Sequence, residues 1–350
     1  MIKKIIYTCL FIMLLYKPIV YAAESNLSEI EQSIFPIPII IDTDFSSDFD
    51  DALAIETAMY YQDLGTIDIK GISLECTSIR GAYAMNALLQ AHHREYIPVA
   101  VDTQNGIVIG SKYHFNMSQF PHKEEYYNNT VSFYRKLLAN TDTPINIITL
   151  GQIITMRRLL ESQPDNYSPL TGMELVKEKV NAIYICGCKE SGAPENNMFY
   201  VGEDYGNNRW YGTQAAGEAG QFITQNWPSD IIFVTAEQGG IFNCGLFYKQ
   251  LDPNGYDIIT KGMIDQGYID TGCWSFDMFT VMAAIADKTN TLNLYRLNKI
   301  QGNMNIYPNG SSSWTSDSNG RHYRLIKTDV NSFYQQKIND MLLYEYSSRH

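Results

Sequence analysis

The sequence is short of positive charge. Lys and Arg number 26 against 38 Asp and Glu among 350 residues, a formal charge of −12, so no broad basic face is available for nucleic acid or anionic lipid. Charged residues of both signs make up only 18% of the chain and hydrophobic ones 45%, a balance that argues against long disordered tracts. Cys and His pairs at zinc-finger spacing are missing. Cys186-Gly-Cys188 has no second pair, and the six His, at 92, 93, 114, 122, 322 and 350, form no ligand pattern. His92-His93 reads as helix surface, and His114 and His122 as part of a loop that closes over a substrate. No period of about 20 to 50 residues recurs, and no Pro/Gly/Ser linker divides the chain, so one continuous domain is the simplest organisation.

Long apolar runs are absent too, except at the start. Lys3 and Lys4 precede an apolar run from Ile5 to Tyr16, and Val20-Tyr21-Ala22 fits a small-residue cleavage site. A leader over residues 1–22 and a domain over 23–350 are expected, giving a protein secreted or sent to the periplasm and held by no membrane once the leader is removed. Without Lys3, Lys4 and Lys17 the 26 basic residues become 23 against 38 acidic ones, a charge of −15. Cys9 leaves with the leader, and five cysteines remain, at 76, 186, 188, 244 and 273. An odd count is no complete disulfide framework, and buried free thiols are expected. The oligomeric state is open, a homo-oligomer included.

What is present is an alternation of strands and helices. Apolar strand patterns at Ile37–Ile41, Ile67–Leu74, Ile97–Val101, Ile145–Leu150, Ala182–Cys186 and Ile231–Thr235 are separated by helical patterns. Those helices run over about 50–61, 79–91, 130–139, 153–161 and 212–226. Continuous apolar strands between helices predict an α/β fold, a mostly parallel sheet covered on both faces. A helix from Trp274 to Ala286 follows, then Asn309-Gly310 and Asn319-Gly320, which predict an antiparallel C-terminal hairpin, and a closing helix from Asn331. In such sheets ligands lie beyond the carboxyl ends of the strands.

The most informative segment is Ile37-Pro-Ile-Ile-Ile-Asp42-Thr-Asp44-Phe-Ser-Ser-Asp48-Phe-Asp50-Asp51-Ala52-Leu53-Ala54, where five of the ten residues from 42 to 51 are Asp. Like-charge repulsion among them is relieved by a hard cation with oxygen ligands or by protonation. The plainer alternative is a solvated loop in which Asp50 caps the next helix. An EF-hand fails, because its sixth position is Ser47 rather than Gly and its twelfth is Leu53 rather than Glu.

Asp42-Thr-Asp44, the Asp50-Asp51 pair and Ala52-Leu-Ala54 resemble the N-terminal signature of the inosine-uridine-preferring nucleoside hydrolase family, in the longer-looped form of its divergent branch. Phe45-Ser46 stands where the best-known members have Pro-Gly. Ile145 to Gly151 resembles the strand whose last carbonyl, here that of Leu150, ligates the family's calcium. Tyr205-Gly206-Asn207-Asn208 before Ala215-Ala216 resembles its substrate-binding Asn segment, and Ser275-Phe276-Asp277 its late calcium-ligating Asp, with Phe276 in place of a His that some members set against the leaving base.

The resemblance implies a Ca2+ ion held by Asp44, Asp51, the Leu150 carbonyl and Asp277. The two-residue insertion also lets Asp48 take the place given to Asp51. It implies Asp50 as the base that takes a proton from water, and Asn208, with Asn207 or Asn197, on the ribose hydroxyls. Asp42 is expected behind the ligands, orienting them by hydrogen bonds. The implied reaction hydrolyses the N-glycosidic bond of a small-molecule nucleoside. A ribosyl-binding protein that has lost catalysis, and a hydrolase of another ribosylated compound, are the alternatives.

Overall fold

The computed structural model describes residues 36–45, 48–104, 111–198, 201–204, 209–212 and 214–350. The expected leader, Cys9, Ser46, Ser47, Asn207 and Asn208 lie outside the described residues. In chain order the first elements are β1 (Ile37–Thr43), α1 (Asp50–Asp63), β2 (Ile67–Leu74), α2 (Ile79–Ala91), β3 (Val99–Val101), α3 (Lys112–Met117) and α4 (Thr130–Ala139). The middle of the chain holds β4 (Ile145–Thr149), α5 (Ile154–Glu161), α6 (Gly172–Lys179), β5 (Val180–Cys186), β6 (Val201–Asp204), β7 (Arg209–Gly212), α7 (Gln214–Asn226), β8 (Asp230–Val234), α8 (Ala236–Gly239), β9 (Asn243–Cys244), α9 (Tyr248–Leu251) and α10 (Ile258–Gln266). It closes with β10 (Cys273–Trp274), α11 (Phe276–Lys288), β11 (Leu297–Ile306), β12 (Ser312–Ser316), β13 (His322–Lys327) and α12 (Asn331–Arg349).

Nine strands form one sheet in the order β12-β11-β13-β8-β5-β4-β1-β2-β3. From β3 across to β13 every pair is parallel, and only β11 runs against its neighbours. The expected hairpin is therefore part of a three-strand antiparallel edge, turned at Gly310 with φ +77. Both faces are buried because β1 feeds alternate side chains to different cores. Ile39 and Ile41 pack on the side of α1, α11 and α12, and Ile40 packs with Tyr134 of α4 and Leu159 of α5. Continuous Ile in a central parallel strand has this cause.

The chain leaves β1 toward β2 and β3 on one side, then resumes at β4 and proceeds to β5 and β8 on the other. The strand order reverses between β1 and β4, and a crevice opens beyond the carboxyl ends of strands at such a reversal. Asp42 and Thr43 end β1, and Leu150 follows β4.

Candidate functional site

Carboxylates from distant parts of the chain meet at this reversal of the strand order. One oxygen each from Asp50, Asp51 and Asp277 lies within 4.8 Å of the others. Asp50 and Asp51 open α1, whose N-cap residue is Phe49, so Asp50 occupies the first helical position and does not cap the helix. Asp277 lies in the first turn of α11. Asp44 shares a hydrogen bond with Asp51 and accepts one from Gln152 at 3.4 Å.

Close approach of two backbones brings Leu150 to this group. A Cβ on Gly151 would lie 2.7 Å from the Asp44 amide nitrogen and 2.8 Å from its Cβ, so only glycine lets the end of β4 pass. The Leu150 amide donates to the Asp42 carbonyl at 2.7 Å, which extends the β1 to β4 pairing to this point. The segment after β1 is turned by Phe45, at φ +42. His114 Nε2 donates to its carbonyl, and the two rings stack with centroids 5.2 Å apart.

Burial raises the carboxyls, and they raise one another. Asp44, Asp50 and Asp277 are pushed well above the usual carboxylate range by desolvation and then by neighbouring Asp charges. Burial pushes Asp51 up to about 6, less than it would without hydrogen bonds from Thr43 and the Phe45 amide. Burial pushes Asp42 up to about 7 while its carboxylate accepts from the Tyr134 hydroxyl at 3.0 Å. Glu75, which directly follows β2 and accepts from the Thr155 amide, is raised by burial and by Asp42. Oxygen donors held together against their own charge form a hard-cation donor set, so these acidic residues fit a metal ion.

Asp48 groups elsewhere. It lies with Asp50 and Cys273, one atom from each within 4.8 Å of the others, and accepts a hydrogen bond from the Tyr268 hydroxyl. Asn197 turns its amide inward and donates to the carbonyls of Leu150 at 2.8 Å and Cys186 at 3.0 Å, clamping the ends of β4 and β5. Half-buried Glu195 braces it, accepting from the Asn197 amide at 3.0 Å and the Cys188 amide at 3.2 Å. Burial raises this carboxyl to about 7.

Several sequence expectations for histidine are corrected. His114 is buried beneath the acidic segment with its pKa lowered to about 4 by desolvation, so it shapes the loop instead of covering a substrate. His122 packs at a tilt on Tyr83. His92 is buried in an ion cluster with Glu56, Glu345 and Arg349, because the C-terminal helix folds back over the end of α2. The five cysteines are buried and free.

Glu75, Gln152, Glu195, Tyr268 and Cys273 enter the site without a signal in the sequence. The one available cue was position, since Glu75 directly follows an apolar strand. Beside Asp277, Trp274 is half exposed, and its ring meets that of Phe276 edge to face at 6.1 Å.

No protein-family model matches the sequence, and no characterised protein matches it by sequence alone. Solved structures match by fold. The inosine-uridine preferring nucleoside hydrolase from Bacillus anthracis gives a TM-score of 0.61 at 12% identity over 89% of this chain and 99% of that one. The purine-preferring ribonucleoside hydrolase from Gardnerella vaginalis gives 0.60 at 13% identity over 88% and 99%. The type III effector protein XopQ, solved in complex with adenosine diphosphate ribose, gives 0.57 at 13% identity over 90% and 95%.

Proposed function

On the nucleoside-hydrolase fold that this chain has, we propose an exported, calcium-dependent hydrolase of N-glycosidic bonds that releases base and ribose from extracellular nucleosides for salvage. The observation that carries the reading is the convergence of Asp50, Asp51 and Asp277 within 4.8 Å at the strand-order reversal of the sheet.

Asp44, Asp51, Asp277 and the Leu150 carbonyl are the oxygen donors that would hold the ion, with Asp48 the alternative to Asp51. When bound, calcium supplies positive charge that gathers sugar hydroxyls and lowers the pKa of a water. Asp50 takes the proton of the attacking water at a carboxylate oxygen. Burial of Asp50 among other carboxylates raises its basicity for that task. Asp42 and Tyr134 hold the end of β1 in place from behind. Asn207 and Asn208 bind ribose hydroxyls. The free Oδ1 side of Asn197 is the part of that residue left for a sugar contact, because its amide nitrogen holds two carbonyls. With Phe276 at the start of α11, the leaving base meets aromatic surface, Trp274 included, rather than an imidazole.

The test is to incubate the purified protein with calcium and a panel of nucleosides and to measure released ribose. Turnover that disappears in Asp50→Ala while metal binding persists supports the reading, and metal binding with no turnover of any nucleoside removes it. A second reading, a hydrolase or a catalytically silent binder of a larger ribosylated compound, draws on the ADP-ribose named with the XopQ structure. Calorimetric binding of ADP-ribose without product would favour the silent form.

A further inference from the structure

Gln152 stands fully buried just after β4. It follows Gly151, the residue at which the end of β4 passes the Asp44 backbone, so its side chain starts beside the acidic segment. Its Nε2 donates to Asp44 Oδ2 at 3.4 Å. Its Oε1 is shut off from solvent and has no hydrogen-bond partner. Buried side-chain oxygens without a partner are exceptions in folded proteins, and an ion is among the few things that account for them.

Charge decides how the amide is turned. An ionised carboxylate only accepts, so Asp44 draws the NH2 end and sends the carbonyl oxygen the other way. That oxygen can be met by a donor or by a cation, and the local charge favours the cation. Asp44 is raised by burial and by Asp51 and Asp48, and one more acceptor adds to the negative potential there. Calcium takes about 6–8 oxygens, among them carboxylates, backbone carbonyls and Gln side-chain carbonyls. Asp44, Asp51, Asp277 and the Leu150 carbonyl give four when each contributes one oxygen, so the shell has room for a neutral fifth.

We propose that Gln152 Oε1 is a fifth protein ligand of the cation held by Asp44, Asp51, Asp277 and the Leu150 carbonyl. The inference rests on the metal reading above and adds a selectivity to it. A neutral oxygen on a flexible stem suits an ion with a wide, adaptable shell. Magnesium, held to an octahedron at about 2.0–2.1 Å and slow to give up its waters, gains less from it. Gln152 therefore favours calcium over magnesium, and does so without a fourth negative charge.

Calcium alone and magnesium alone, titrated by calorimetry into purified protein cleared of metal, are the probes. Gln152→Met, of similar length but with no oxygen, is expected to lower calcium affinity by about tenfold or more, to lower magnesium affinity by less, and to leave the metal-free Tm close to that of the wild type. Gln152→Glu separates a ligand from a support. It restores an oxygen but no NH2 for Asp44, so calcium affinity returns if the oxygen is a ligand and stays low if the residue acts only by steadying Asp44. Unchanged calcium affinity in Gln152→Met, or an equal loss in Gln152→Glu, overturns the proposal. So does a loss confined to ribose binding in the presence of calcium, which makes Oε1 an acceptor for a sugar hydroxyl. A wild type that binds no calcium removes the oxygen site and this ligand with it, an outcome distinct from the others, which all start from a wild type that binds. Should Gln152→Met not fold, Gln152→Asn takes its place, keeping the amide but drawing the oxygen back by one methylene.

Discussion

Asn197→Ala separates a clamp from a substrate contact. Its Nδ2 holds the Leu150 carbonyl at 2.8 Å and the Cys186 carbonyl at 3.0 Å. Each hydrogen bond of this kind contributes a net 0.5–1.5 kcal/mol or so, so removing both is expected to destabilise the fold by about 1–3 kcal/mol. For a domain of this size that is a fall in Tm of about 2–6 °C. Leu150 is 1% exposed, so little water reaches the freed carbonyl and the loss belongs toward the upper end. Asn197→Asp is the harsher variant, because it turns a carboxylate oxygen toward two carbonyl oxygens. Urea unfolding gives the stability change, with a lower midpoint at an unchanged slope. Calcium calorimetry then reports the freed Leu150 carbonyl as weaker binding. If Asn197→Ala unfolds like the wild type and alters only KM for the nucleoside, the side chain serves the sugar and the clamp reasoning is wrong.

Gly151→Ala forces a Cβ to within 2.7 Å of the Asp44 backbone, and overpacking of this kind costs about 1–3 kcal/mol; thermal melts should show the loss, and an unchanged Tm refutes the close approach. In steady-state assays with excess calcium, Asp50→Ala should lower kcat by about 10²–10⁴, the usual contribution of a general base. Calcium at a hundred times its Kd should raise stability by about 2.7 kcal/mol, and a chelator should reverse it; a melt indifferent to both argues against the oxygen site. Burial alone would lower the His92 pKa, but Glu56 and Glu345 raise it above 6.5. The stabilisation from its charged form is therefore complete below pH 6.5 and fades as pH rises through the higher folded value. Stability measured across that window should fall in the wild type and stay flatter in His92→Asn.

The acidic segment shows how far local pattern reaches. Strand followed by helix is written into the Ile run and Asp50 to Ala54, since apolar period and helix propensity act over a few residues. The clustering of Asp predicted charge crowding, and the raised carboxyls of Asp44, Asp50 and Asp277 are that crowding. The partition of the same carboxylates into two groups depends on Asp277 and Cys273, which reach the segment from more than two hundred residues away. The surface assignment of His92 failed for the same reason, because its ion partner Glu345 reaches it from the C-terminal helix.

The sequence by itself determined the alternating α/β order, the parallel sheet with its antiparallel end, and the concentration of acid after the first strand. Each of these is set by side-chain period, turn chemistry or charge within a short window. Tertiary structure alone decided that β1 and β4 are neighbours at the reversal, that Gly151 admits the Leu150 carbonyl, that Asn197 is tied to backbone, and that Cys273 stands with Asp48. These depend on which distant strand ends meet, and a contact such as Tyr268 to Asp48, 220 residues apart, leaves no trace in local pattern because its energy is gained only once the whole sheet has formed.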